Sequence, residues 1–160
     1  MSDVIEFLQE NSLIYLATSG LDGNAKVRPI LFYFAEDNKP YFCTSNQKPM
    51  YRELNANPNF EMTAATPEFQ WIRIDGKVEF IDDLKIKQKV IDANDLVKAL
   101  YESGDNPTFE VFTIKEGKAT IADFSGEPPK VYEIWIHVNL RVNTFLFLIF
   151  QFRKFRKIGV

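Results

Sequence analysis

Short runs of apolar, β-branched and aromatic residues, each closed by a Gly, Pro or Asx cluster, recur from residue 13 onward, and this punctuation restricts the possible folds more than any other feature. Runs at 13–18 and 25–34 flank Gly20-Leu21-Asp22-Gly23, a hairpin signature. A second turn at Glu36-Asp37-Asn38-Lys39 leads into a run at 40–44, so the opening reads as a three-stranded meander. Further strands are expected at 60–66, 69–81, 109–115, 118–124 and 131–138. The pair 109–115 and 118–124 reads as a hairpin about Glu116-Gly117. Asp75-Gly76 reads as a bulge inside one long strand, because the residues on both sides are equally strand-like. Regular helices do not separate these strands, which argues against a doubly wound parallel sheet. The expected class is mainly β, a barrel with flanking helices.

Helical spacing is confined to a few places. Asp3 and Glu6 stand in the first turn of a short helix carrying Val4, Ile5, Phe7 and Leu8, with Ser2 as cap and an end near Asn11. Pro49 suits the first position of another, running to about Asn55. From 82 to 100, Leu84, Ile86, Val90, Ile91, Leu96, Val97 and Leu100 predict two consecutive helices broken near Asn94, with Asp82 and Asp83 at the start.

A chain of 160 residues is the size of one domain, and its 46% hydrophobic and 26% charged content is that of a soluble globular protein rather than a disordered, collagenous or coiled-coil one. The division expected is a domain at 1–133 and an atypical tail at 134–160. That tail holds Arg141, Arg153, Lys154, Arg156 and Lys157 and no acid, so the preceding 133 residues carry 14 basic against 22 acidic groups, a net −8. A nucleic-acid binder needs a basic face, so that role is not expected. Cys43 is the only cysteine, which excludes an intrachain disulfide framework and fits a reducing compartment. The amino terminus carries acids where a signal peptide carries a positive region, so a cytoplasmic protein is expected.

The chemistry must come from outside the side chains. There is no glycine-rich dinucleotide fingerprint, phosphate loop, His-Glu-x-x-His or nucleophile elbow. His137 is the single histidine, so no His-based metal cage is expected. A cofactor would then supply the reactive centre of any redox or group-transfer reaction.

Three segments carry candidate ligand groups. Thr44-Ser45-Asn46-Gln47-Lys48-Pro49-Met50 ends a strand in two hydroxyls, supplies a lysine and opens a helix at the positive end of its dipole. That suits a phosphate monoester, and equally a plain strand end with a helix cap. In Val27-Arg28-Pro29-Ile30, Pro29 cannot donate to a ladder and marks an edge, bulge or unpaired position. Arg28 is then expected where the second and third strands run side by side, within reach of a phosphate or the carbonyl edge of a ring, unless it is a solvated surface arginine. Trp71 and Arg73 share one face of an alternating strand, a ring and a cation for a planar anionic ligand, or an ordinary half-buried aromatic beside a surface charge.

In their order, a short amino-terminal helix, a hairpin with Asp22-Gly23, Val27-Arg28-Pro29-Ile30, Tyr41-Phe42-Cys43-Thr44-Ser45 with Lys48, Leu54-Asn55-Ala56-Asn57-Pro58, and Trp71-Ile72-Arg73-Ile74-Asp75-Gly76 running into Val78-Glu79 resemble the pyridoxamine 5'-phosphate oxidase-like, FMN-binding split-barrel family over about residues 3–133. The resemblance implies a six-stranded split barrel with flanking helices, a homodimer, and FMN in the groove between subunits. It implies that Arg28, Thr44, Ser45 and Lys48 bind the phosphate and ribityl part and that Pro29 and Ile30 lie against the flavin ring. Trp71 and Arg73 would approach the cofactor of their own subunit or of the partner.

The function implied is FMN-dependent oxidoreduction of a small diffusible substrate or electron acceptor, with NAD(P)H a candidate reductant. The alternative is a non-enzymatic flavin- or haem-binding module. Two features depart from the family pattern. The arginine-rich carboxy-terminal substrate motif of authentic pyridoxamine 5'-phosphate oxidases is not found, which puts that substrate in doubt. The tail run Phe145-Leu146-Phe147-Leu148-Ile149-Phe150 before Arg153-Lys154-Phe155-Arg156-Lys157 matches no family feature. It is shorter than the about 20 apolar residues that span a bilayer, and an ordered packing role is expected ahead of the alternative, a membrane-surface anchor.

Overall fold

The structure, a computed structural model, describes residues 2–135. The tail from 136, with His137 and the basic cluster, and the last part of the expected strand at 131–138 lie outside the described residues.

Along the chain come α1 (Ser2–Glu10), β1 (Leu13–Ser19), β2 (Ala25–Leu31), β3 (Phe34–Glu36), β4 (Lys39–Ser45), α2 (Pro49–Ala56), β5 (Asn59–Ala65), β6 (Trp71–Ile81), α3 (Leu84–Asp92), α4 (Asp95–Tyr101), β7 (Phe109–Ala122) and β8 (Lys130–Trp135). The strands form one curled antiparallel sheet in the order β2-β1-β5-β6-β7-β4-β3. The fold is mainly β, a split barrel with flanking helices, as expected. β7 is long enough to serve two neighbours on one side: Phe109–Thr113 pair with β4, and Glu116–Ile121 with β8.

The helices form where the pattern placed them. Asp83 caps α3 by accepting from the N–H groups of Lys85 and Ile86 at 2.8 and 3.3 Å. Asn94 ends α3 and caps α4, accepting from Leu96 and Val97 at 2.9 and 3.3 Å. A side-chain oxygen satisfying the first free N–H groups is what separates two helices here from one.

Three expectations need correction. The run at 25–34 is not one strand, since β2 stops at Leu31 and Phe34 opens β3. Nor is the opening a meander: among the described residues β2 pairs only with β1 and stands at the edge, while β4 lies between β3 and β7. Thus Arg28 does not sit between adjacent second and third strands. Pro29, whose register partner is Tyr15, is tolerated because it is on that edge. Finally, Glu116-Gly117 is not a turn, because β7 runs unbroken through it, and Gly117 lies opposite Gly76 in the β6–β7 ladder. β6 is the single long strand anticipated, but the irregularity is at Lys77/Val78, where Lys115 of β7 is the extra residue.

The core has two parts. Inside the curl, Leu16, Phe42, Leu54, Met62, Ile74 and Phe112 are buried, and α1 covers one end through Val4, Phe7 and Leu8. On the other face of β4 and β7, α3 and α4 bring Val90, Ile91, Val97 and Tyr101 against Tyr41, Phe109 and Val111. The N-terminal half of β7 and most of β4 are therefore covered on both faces, which explains their continuous apolar runs. No described helix is long and apolar enough to cross a membrane.

Candidate functional site

The site begins with the loop from β4 into α2. Asn46 pins it: its N–H donates to the Thr108 carbonyl at 3.0 Å, and its Nδ2 to the Pro107 carbonyl at 2.8 Å. Lys48 takes the N-cap position of α2 without a side-chain cap, and Pro49 follows as first helical residue. Pro49 has no N–H, and that of Tyr51 reaches back to the Lys48 carbonyl at 3.2 Å. Among the described residues the Met50 N–H has no hydrogen-bond partner.

Beside that end opens a cavity of about 820 Å³ between the edge strand β2, the end of β4, α2 and α4. Its size is within the range of small-molecule sites. Arg28, Pro29, Ile30, Thr44 and Lys48, five of the expected site residues, line it. Thr44 is buried, and its Oγ1 has no hydrogen-bond partner among the described residues. Leaving such an oxygen unsatisfied costs about 1–3 kcal/mol, so it marks a place for a ligand's polar group. The Lys48 ammonium has no acidic partner within the described residues.

The other expected residues are elsewhere. Ser45 is buried but its Oγ accepts from the Gln47 N–H at 3.2 Å, a turn contact, and it does not line the cavity. Arg73 is exposed on β6 in an ion pair with Glu61. Trp71 is half-buried and packs on Phe124, with ring centroids 5.2 Å apart. Neither reaches the cavity of its own chain.

Sequence reasoning missed two groups that shape the site. Glu53, buried on α2, pairs with Arg28 at 2.6 Å and accepts from Thr18 Oγ1 at 2.7 Å. Its signal was present: Met50, Glu53 and Leu54 share the buried face of α2, and a carboxylate among apolar positions is expensive unless paired. On the opposite wall, Leu96 and Leu100 of α4 stay 58% and 64% exposed, forming an apolar side of the cavity rather than core.

The thiol and the two phenols of this wall keep their protons. Burial pushes the Cys43 thiol up to about 11, with Lys48 pulling weakly the other way. Burial first, and then Cys43, raises the phenols of Tyr33 and Tyr101. At neutral pH this wall offers no thiolate or phenolate, hence no ready nucleophile. A second cleft, of about 280 Å³, is edged by Asp3, Glu6, Glu10 and Asp123 and is unsuited to an anion.

A curled antiparallel sheet whose edge strand, with α2 and α4, encloses a ring-sized cavity bearing Thr44 and Lys48 defines a class. The model of the pyridoxamine 5'-phosphate oxidase family matches residues 3–120, and the chain belongs to that family. A NimC/NimA family protein from Clostridium acetobutylicum is 31% identical, with 84% of this chain and 92% of that one covered and a TM-score of 0.77. A pyridoxamine 5'-phosphate oxidase-related, FMN-binding protein from Nostoc punctiforme is 18% identical over 82% of this chain and 88% of that one, with a TM-score of 0.63. A heme-binding protein from Mycobacterium smegmatis is 16% identical over 78% and 54%, also at 0.63. The last two likenesses are of fold alone. No curated protein matches the chain.

Proposed function

We propose that this protein is an FMN-dependent oxidoreductase acting on a small diffusible substrate or electron acceptor. The observation that carries the reading is the corner where Thr44 Oγ1 and the Lys48 ammonium, neither with a partner among the described residues, line an apolar, ring-sized cavity together with Met50. FMN fits these residues: Lys48, Thr44 and the Met50 N–H would hold the phosphate, with Pro29, Ile30 and Leu100 as apolar walls. FMN held there would supply hydride-transfer chemistry between a reductant such as NADH or NADPH and the acceptor. The chain's own groups bind, orient and exclude water. Cys43, Tyr33 and Tyr101 stay neutral beside the site and need not exchange a proton. Haem fits less well, because residues 2–135 contain no histidine and burial holds the Cys43 thiol protonated.

The cations of the cavity also limit the substrate. Arg28 is paired with Glu53 and Lys26 with Asp22, so after Lys48 meets one phosphate no unpaired cation of the described lining remains for a second. Anaerobic NADH or NADPH is expected to bleach the FMN-loaded protein, and a quinone, nitro compound or free flavin to restore its colour. Turnover of pyridoxamine 5'-phosphate with oxygen is expected to be slow. Fast turnover of that amine overturns the substrate reading, and a flavin that no nicotinamide bleaches leaves a binding module.

The working unit is proposed to be a homodimer. Leu13, Tyr15 and Val27 are 49%, 49% and 66% exposed on the outer face of β1 and β2, with Pro29 beside Tyr15, and this apolar face continues into the cavity rim through Val27 and Pro29. Such a contiguous patch is normally covered. Sedimentation equilibrium of FMN-loaded protein is expected to give twice the chain mass, and a monomer with full FMN occupancy refutes the dimer.

A further inference from the structure

Three side chains from three elements close a ring at one end of the cavity. Arg28 of β2 donates from Nη2 to Glu53 Oε2 at 2.6 Å and from Nη1 to Thr18 Oγ1 at 2.5 Å, and the Thr18 hydroxyl donates in turn to Glu53 Oε2 at 2.7 Å. The backbone oxygen of Leu16 lies 3.5 Å from Nη1. Thr18 has one proton and gives it to Glu53, so its lone pair is what receives Arg28, and every member of the ring is fixed by the other two. The Glu53 side chain is 6% exposed and that of Arg28 23%. Nη1 and one hydrogen of Nη2 are thereby committed. Nε–H and the other Nη2 hydrogen have no partner among the described residues, and Arg28 and Glu53 both line the cavity.

We infer that Glu53 is a positioning residue which, with Thr18, holds the Arg28 guanidinium as a donor to a neutral acceptor of a bound flavin, in its ring or ribityl chain, while the phosphate is confined to the Lys48 end. The inference rests on the flavin reading above and divides the residues expected for the phosphate and ribityl part, Arg28, Thr44, Ser45 and Lys48, between those two chemistries.

Charge balance decides the division. A phosphate beside Arg28 would also stand beside the Glu53 carboxylate, so attraction and repulsion largely cancel. A neutral carbonyl or hydroxyl accepts from the guanidinium without that penalty. At the other end, Lys48 has no acid against it among the described residues, and Thr44 Oγ1 is unpartnered. A buried ion pair is a poor source of stability compared with an apolar pair of similar size, but it fixes direction. The fork of Arg28, on an edge strand with solvent beside it, would otherwise sample many rotamers.

Flavin-fluorescence quenching by the full chain, with FMN and with riboflavin, tests this. Glu53→Gln keeps the shape and removes the charge. It is expected to weaken both flavins by the same factor, on the order of 10-fold for one charged hydrogen bond made weaker, and to leave the FMN-to-riboflavin affinity ratio at the parental value. The absorption band of the bound flavin is expected to shift, which a purely structural loss would not produce. If the ratio instead moves toward FMN, Glu53 had been repelling the phosphate and Arg28 belongs to it, which overturns the inference. Parental affinity for both flavins overturns it as well. Should Glu53→Gln not fold, Thr18→Val, which keeps the ion pair and removes the hydroxyl, is read by the same ratio and band: a common loss with an unchanged ratio supports the inference, and a shifted ratio or parental affinity overturns it. A parent protein that binds neither flavin defeats the flavin reading itself, whereas a parent that binds FMN with a ratio altered in the variants defeats this inference alone.

Discussion

Lys48→Ala is expected to weaken FMN binding by about 1.5–3 kcal/mol, the range for a hydrogen bond to a charged group, or roughly 10- to 150-fold. Riboflavin affinity should stay at the parental level, because riboflavin lacks the phosphate that the ammonium meets. The fold should be little affected. Lys48 is exposed, its side chain neither caps α2 nor pairs with an acid among the described residues, and the loop is held by Asn46 and by the Lys48 backbone N–H donating to the Ser45 carbonyl at 3.0 Å. Titration of both flavins against parent and variant measures the effect. Parental FMN affinity in the variant would mean that the phosphate lies elsewhere and that the strand simply ends there before a helix.

Half of the candidate site could be read from local sequence. Thr44, Lys48 and Pro49 are neighbours in the chain, and a strand end followed by a Pro-initiated helix fixes their relation within a few residues. Pro29 announced an edge, a bulge or an unpaired position for a reason equally local, and β2 supplies the edge. The ion pair that governs Arg28 was not local. Glu53 is 25 residues from Arg28 and 35 from Thr18, and they meet only because β1 and β2 pair and α2 packs against β1. A buried carboxylate at Glu53 was visible in the spacing of Met50 and Leu54, but its partner was not. Trp71 and Arg73 illustrate the converse. Their shared face was legible from alternation, yet that face lies outside the chain's own cavity, Trp71 packing on Phe124 and Arg73 pairing with Glu61.

The fold shows the same division between local and distant causes. Helices with polar caps fell where expected, since Asp83 and Asn94 act on N–H groups two and three residues away. The order of strands did not follow the order of turns. A hairpin links β3 to β4, but β4 finds its other neighbour in β7, nearly seventy residues later, because Phe42 stacks on Phe112 with ring centroids 5.4 Å apart inside the curl. No turn residue encodes that pairing. Glu116-Gly117 misled most. Gly-containing dipeptides signal turns when chain direction must reverse, yet at Asp75-Gly76 and Glu116-Gly117 the absence of a side chain serves close contact instead.

That reassignment makes the second large prediction. A Cβ placed on Gly117 would come within 2.3 Å of the Asp75 carbonyl oxygen, and one on Gly76 within 2.1 Å of the Glu116 carbonyl oxygen and 2.7 Å of the Gly117 Cα. These obstacles are backbone, held by the longest ladder in the sheet, and cannot turn aside as a flexible side chain would. Overpacking of that kind costs about 3 kcal/mol. Gly117→Ala is therefore expected to lower the thermal midpoint by roughly 10 °C in a chain of this length. Gly23 is the control. Its φ of +78° strains any substituted residue, but nothing lies within 4 Å of its Cβ position, so Gly23→Ala should cost only about 1 kcal/mol. If Gly117 stood in a hairpin turn, its replacement would resemble that of Gly23 in size. Urea unfolding of the two variants side by side distinguishes the cases, and equal losses would return Glu116-Gly117 to a turn and dissolve the continuous strand on which β4, β6 and β8 all depend.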